Sequence, residues 1–222
     1  MRKFVSLLLA FAVLFTFTAC ENTPQTSSAG GSSTEENSLS AKEVLGSITD
    51  EDLTDAFLHP QTFTEEETEK YTQLLMPYVY GVGLGAKEWF GAKELSADTL
   101  VSFYGINAYE TYISSAKVDG DTVDVSSKEV EEYLNKYFDG VDSAQLHASK
   151  FYHADTDTYR FPAEGGFGGA YGFHPLKVET HGDYTVVYGI GGVVENESGA
   201  AAVVCDFSGS GVRYLGAKSN IR

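Results

Sequence analysis

The stretch from residue 176 to residue 218 most constrains what this chain can fold into. It contains four short runs rich in β-branched and aromatic residues, at 176–180, 184–190, 201–207 and 212–215. The segments between the runs each contain glycine, which supplies the positive φ that tight reversals need. Runs of strand length separated by Gly-containing turns predict an antiparallel β-meander. A meander of this size must bury one face, so we expect the preceding helices to pack across it.

Helix start signals concentrate in the first half of the chain. N-cap residues stand before apolar stripes of helical spacing at four places, namely Thr49, Thr64, Ser96 and Ser126. Glu67 and Glu129 lie three residues after the second and fourth of these caps and complete the capping-box pattern. The helix that begins near Glu65 contains Pro77, which should kink or end it near Met76.

Strand and turn signals dominate the second half. Asp119-Gly120 between β-branched flanks predicts a hairpin, and most of the 23 glycines lie from Gly165 onward. Helix signals in the first half of the sequence and strand signals in the second half predict an α+β protein, with an N-terminal helical half packed on a C-terminal antiparallel β-meander. Residues 41–222 suffice for one such domain. Cone-shaped and cystatin-like folds are the fold-level analogies for a small sheet of this kind.

The first twenty residues have the three parts of an export signal. Arg2 and Lys3 form a basic start, residues 4–17 are almost wholly apolar, and small residues lead to Cys20. A membrane-spanning helix is the alternative, but the apolar run up to Ala19 would rise only about 24 Å. The hydrocarbon core of a bilayer is about 30 Å thick. We therefore interpret residues 1–19 as a signal peptide.

The end of this leader resembles the lipobox of the bacterial lipoprotein class, in which a cysteine marks the cleavage point. Ala19 and Cys20 match the motif, while Phe17 stands where leucine is usual. The resemblance implies that Cys20 becomes the first mature residue and carries a diacylglyceryl thioether, whose two chains anchor a protein stably. The protein would then sit on the extracytoplasmic face of the cell membrane. Residues 20–40, which are polar and lack large apolar side chains up to residue 38, would form a flexible tether.

Charge argues against a nucleic-acid partner, and cysteine content argues against an intramolecular disulfide. The formal net charge is −17, and loss of the leader with its two basic residues makes it more negative. Such a surface repels polyanions, so we reject a nucleic-acid partner. With Cys20 acylated, Cys205 is the remaining thiol and has no intramolecular disulfide partner. Cys205 lies in an apolar run, which predicts an inert core thiol.

The Gly-rich segment from residue 165 to 173 is the first candidate for ligand binding. Its glycine spacing does not fit a dinucleotide or phosphate loop, so no nucleotide cofactor is predicted. Its backbone can approach a ligand closely, and aromatic rings at its edge can stack on sugars or apolar rings. The candidate ligand-binding residues are therefore Phe167, Tyr171 and Phe173, with Trp89 in an earlier Gly-rich stretch. The alternative is a turn-and-bulge segment whose aromatics, including Trp89, pin a loop to the core.

Metal binding finds less support in the sequence. Asp155 and Asp157 have the spacing that opens a calcium loop, but Arg160 and Gly166 stand where that loop needs Gly and Glu. A turn stabilised by side-chain hydrogen bonds is the favoured interpretation. Four histidines without metal-ligand spacing give no predicted metal site: His147, His153, His174 and His181.

The sequence favours a non-enzymatic extracytoplasmic lipoprotein that binds a small molecule, a glycan or an envelope protein. One alternative is a hydrolase acting on envelope material, with Glu164 and His174 as its acid or base. No Gly-x-Ser-x-Gly elbow supports a serine nucleophile. A structural or inhibitory envelope protein is the third interpretation.

Overall fold

A computed structural model describes residues 39–83, 88–115, 118–164, 172–191, 199–209 and 211–221. Residues 37–222 form one compact unit. The predicted signal peptide, the lipidated Cys20 and the tether up to residue 38 lie outside the described residues, as do Phe167 and Tyr171. Within the described part, no helix is both long and apolar enough to cross a membrane.

Seven α-helices are described. Their bounds are α1 Ala41–Ser47, α2 Asp50–Leu58, α3 Glu65–Gly81, α4 Ala97–Asn107, α5 Tyr109–Ser115, α6 Ser127–Tyr137 and α7 Ser143–Leu146, and a short 3-10 helix spans Ala92–Glu94. All four predicted N-caps are confirmed, because each cap side chain accepts a hydrogen bond from the amide three residues later. These caps satisfy amides that the first helical turn leaves without partners.

Nine strands form two antiparallel sheets. Their bounds are β1 Glu88–Phe90, β2 Val118–Asp119, β3 Thr122–Ser126, β4 Tyr152–His153, β5 Thr158–Pro162, β6 Phe173–His181, β7 Tyr184–Gly191, β8 Ala201–Asp206 and β9 Arg213–Ser219. The five-stranded sheet has the order β1-β9-β8-β7-β6, and the four-stranded sheet has the order β2-β3-β5-β4. The predicted meander is therefore confirmed as β6 to β9, and the α+β class with it. The cystatin-like analogy stays a prediction.

The meander is buried on both faces, whereas we expected it to bury one. Val186 and Val204 belong to a core cluster with Val44, Leu45 and Leu53 of α1 and α2. The alternate residues of β7 and β8 belong to a larger cluster with α3, α4 and α6, including Val187, Val203 and Cys205. Because side chains alternate across a strand, a strand covered on both faces reads as a continuous apolar run.

Two local predictions at helices were wrong in detail. Pro77 does not end α3, which continues to Gly81. Asn107 of the neighbouring helix α4 donates its Nδ2 proton to the Pro77 carbonyl at 3.1 Å. The predicted capping box of α6 is half formed, because Glu129 accepts a hydrogen bond from the Tyr104 hydroxyl at 2.7 Å instead of from the cap. At Glu129 a tertiary contact thus replaces the local capping pattern.

The outer strand of the large sheet, β6, is tied to the segment between α2 and α3. The backbone amide of Gln61 donates to the Leu176 carbonyl at 2.7 Å, and the Gln61 side-chain oxygen accepts from the Val178 amide at 3.0 Å. Thr72 of α3 donates to the Phe173 carbonyl at 3.1 Å. Three polar groups on the free side of β6 are thereby satisfied within the chain.

Candidate functional site

The two described aromatic candidates for ligand binding lie in the core. Trp89 is 2% exposed, and its indole nitrogen donates to the Tyr78 hydroxyl at 3.1 Å. Phe173 is 4% exposed, and its ring lies so close to Gly189 that a Cβ there would come within 2.2 Å of it. Rings in these positions present no open face for stacking on a ligand. Their contacts match the alternative in which aromatics pin loops to the core.

The predicted acid–base pair is not brought together. Glu164 and His174 are both exposed, and across the described ranges no hydrogen bond or ion pair joins them. Among the other histidines, His181 lies 3.5 Å from Glu179, whose carboxylate already faces Lys177 at 2.7 Å and accepts from the Tyr188 hydroxyl. No group of three His, Cys, Asp or Glu side chains able to hold a metal occurs in the described part.

Polar side chains do converge where α6 and α7 meet the four-stranded sheet. We name this set the Glu131 cluster, which consists of Glu131, Ser143, His147, Tyr152, Asp157 and Tyr159. Glu131 projects from α6 and accepts a hydrogen bond from the Ser143 hydroxyl at 2.7 Å. Its other oxygen lies 3.7 Å from Nε2 of His147. Ser143 begins α7 and His147 is the C-cap that follows its last residue, and residues four apart share a face of a helical turn, so both lie next to Glu131.

The sheet side of the Glu131 cluster is aromatic and acidic. The His147 ring stacks on the Tyr152 ring with centroids 4.0 Å apart and an interplanar angle of 6°. The Tyr152 hydroxyl donates to Asp157 at 2.9 Å. Asp157 lies in the turn between β4 and β5 with φ of 52°, so the predicted turn at this site is confirmed. Hydrogen bonds from Ser127 and Tyr152 lower the pKa of the Asp157 carboxyl, which is therefore ionised at neutral pH.

Tyr159 of β5, the strand partner of Tyr152, adds an unsatisfied polar group to the cluster. Its side chain is 0% exposed, and its hydroxyl has no hydrogen-bond partner among the residues that the structure describes. Its ring packs on the Tyr152 ring with centroids 5.3 Å apart. Burial, followed by the charges of Glu131, Tyr152 and Asp157, raises the pKa of this phenol. Burial of a hydroxyl without a hydrogen-bond partner costs free energy. Such a group in a folded protein therefore needs an explanation, such as a ligand that binds it or a structural role.

The cluster carries more negative charge than its neighbourhood balances. Four carboxylates outside the cluster face a permanent cation, in the pairs Asp98–Lys150, Asp124–Arg160, Glu179–Lys177 and Asp139–Arg213. Of the ion pairs described, Glu131 has only the one with His147, and Asp157 has none. The side chains of Glu131 and His147 are 24% and 36% exposed, and Asp157 is exposed, so the cluster opens to solvent on this side.

The arrangement suits binding better than acyl transfer. A serine nucleophile needs its hydroxyl on the base, but Ser143 donates to the carboxylate of Glu131 and not to the imidazole of His147. The cluster offers the acceptor oxygens of Glu131 and Asp157, which Ser143 and Tyr152 hold in place. Such a set can receive a donor-rich group.

Three open grooves are described elsewhere on the surface. Two, of about 660 and 580 Å³, are lined by residues of α2 with its flanking His59 and of α3 respectively. The third, of about 380 Å³, lies between the end of α6 and the turn before β9. Arg213 in that groove already pairs with Asp139 at 2.6 Å.

Sequence reasoning named His147 but missed its partners. Glu131 and Ser143 are twelve positions apart, and their meeting depends on how α7 packs against α6. The one local signal is the spacing of Ser143 and His147, which predicts a shared helical face. The chain matches no family model, and comparison with curated proteins and with solved structures found no match.

Proposed function

We propose that this chain is a lipid-anchored extracytoplasmic binding module whose ligand engages the Glu131 cluster. The anchor rests on the sequence from Arg2 to Cys20 and its resemblance to lipoprotein leaders. The observation that supports the binding role is the buried hydroxyl of Tyr159, for which no hydrogen-bond partner occurs among the described residues, in a cluster whose two carboxylates have no permanent cation among the described ion pairs. A binding site that holds polar groups ready for a partner sacrifices some stability when it is empty.

Mass spectrometry of the native protein from bacterial membranes tests the anchor. We expect an amino terminus at Cys20 with diacylglyceryl modification, and Cys20→Ser should release the protein from the membrane fraction. An unmodified amino terminus at another position would remove the anchor from the proposal.

Replacement of Tyr159 by Phe tests the binding role in the ligand-free protein. Because this hydroxyl has no hydrogen-bond partner in the described part of the chain, Tyr159→Phe should leave the free energy of unfolding unchanged or raise it by about 1 kcal/mol. The matched control is Tyr104→Phe, which removes a hydroxyl that donates to Glu129 at 2.7 Å and should cost about 1.5 kcal/mol. Urea denaturation of both variants gives the comparison. Equal destabilisation of the two variants would mean that the Tyr159 hydroxyl has a structural partner.

Thermal-shift screening of small molecules, combined with product analysis, separates binding from turnover. A ligand that binds only the native state raises the melting temperature. We expect such shifts without products, and we expect them to be lost in Tyr159→Phe. Formation of products from cell-wall fragments, abolished by Glu164→Gln, would favour the hydrolase instead.

A further inference from the structure

We draw no further inference here: the strongest candidate, the open groove along the exposed side of α2, is lined by an acidic cluster that includes Asp50, Glu51 and Asp55, and nothing in the described part of the chain points to a ligand or shows what covers it.

Discussion

Burial determines the chemistry of Cys205. The side chain is 0% exposed on β8, within the larger core cluster, and its sulfur contacts the Val203 carbonyl at 3.8 Å. Burial, and secondarily the charge of Asp206, raises the pKa of this thiol, so the thiolate that would react is strongly disfavoured. The sequence prediction of an inert core thiol agrees with this environment.

Thiol labelling tests that conclusion. In a Cys20→Ser background, Cys205 should resist a maleimide reagent in the native state and react once urea unfolds the protein, since the reagent needs an accessible thiolate. Mass spectrometry of samples quenched over time gives the rates. Labelling at equal rates with and without urea would show that the β8 core opens freely.

The residues that sequence reasoning located correctly depend on near neighbours. Thr49, Thr64 and Ser96 cap helices through amides three residues away, so their signals are local. The Glu131 cluster could not be predicted from the sequence, because its contacts join α6 and α7 to the hairpin of β4 and β5. Trp89 lies in a Gly-rich stretch, which is compatible with an exposed ligand-binding loop or with a loop held on the core. Only tertiary packing decides between the two, and it buries Trp89 in the core.

Close approach of α3 and α4 is the tightest contact between helices that the glycines reveal. A Cβ on Gly81 would lie 2.4 Å from the Phe103 ring and 2.8 Å from the Phe103 backbone. Gly46 near the end of α1 has nothing within 4 Å of its added Cβ. One glycine is therefore required by packing and the other is not.

Alanine substitution should have opposite effects at these two glycines. Gly46→Ala should raise the free energy of unfolding by up to about 1 kcal/mol, because alanine is the better helix former. Gly81→Ala should lower it by about 1 kcal/mol or more, since the Phe103 backbone must shift and overpacking costs about 1–3 kcal/mol. Urea denaturation measures both. Stabilisation by Gly81→Ala would mean that α3 and α4 separate at little cost.

Elements with long periodic patterns were predicted well, and short elements were not. The meander and the start of α3 follow from repeated apolar spacing and capping. Helix α5, Tyr109–Ser115, was missed because its β-branched residues resemble a strand flank, while its tyrosines pack on the ring of Phe161 and on each other. The three residues of β1 pair with β9, a contact with no local signal.

Carboxylates that accept hydrogen bonds are distributed over the whole molecule. Hydrogen bonds, mostly with additional help from nearby cations, lower the pKa of eight of them: Glu43, Asp52, Glu67, Asp98, Asp124, Asp157, Glu179 and Asp206. For Glu179 burial acts in the opposite direction, and the bonds from Lys177 and Tyr188 outweigh it. The ordinary values are 3.8 for Asp and 4.5 for Glu.

These groups predict how stability changes with pH. A carboxyl whose folded pKa is lowered stabilises the fold above its unfolded pKa, and that contribution is lost as pH falls through the folded value. Acidification from pH 7 to about 5 should raise the melting temperature slightly by reducing self-repulsion. Below about pH 4 the melting temperature should fall. A melting temperature that keeps rising to about pH 3 would show that general repulsion outweighs these hydrogen bonds.

Gln61 has a consequence for a protein held at high local density. An outermost strand with unsatisfied amides and carbonyls is a template on which a neighbouring copy can add a strand. By occupying Leu176 and Val178 from the same chain, Gln61 denies a neighbour part of that template. If identical molecules are confined to one plane, the contacts of Gln61 therefore disfavour β6 of one molecule pairing with a strand of its neighbour.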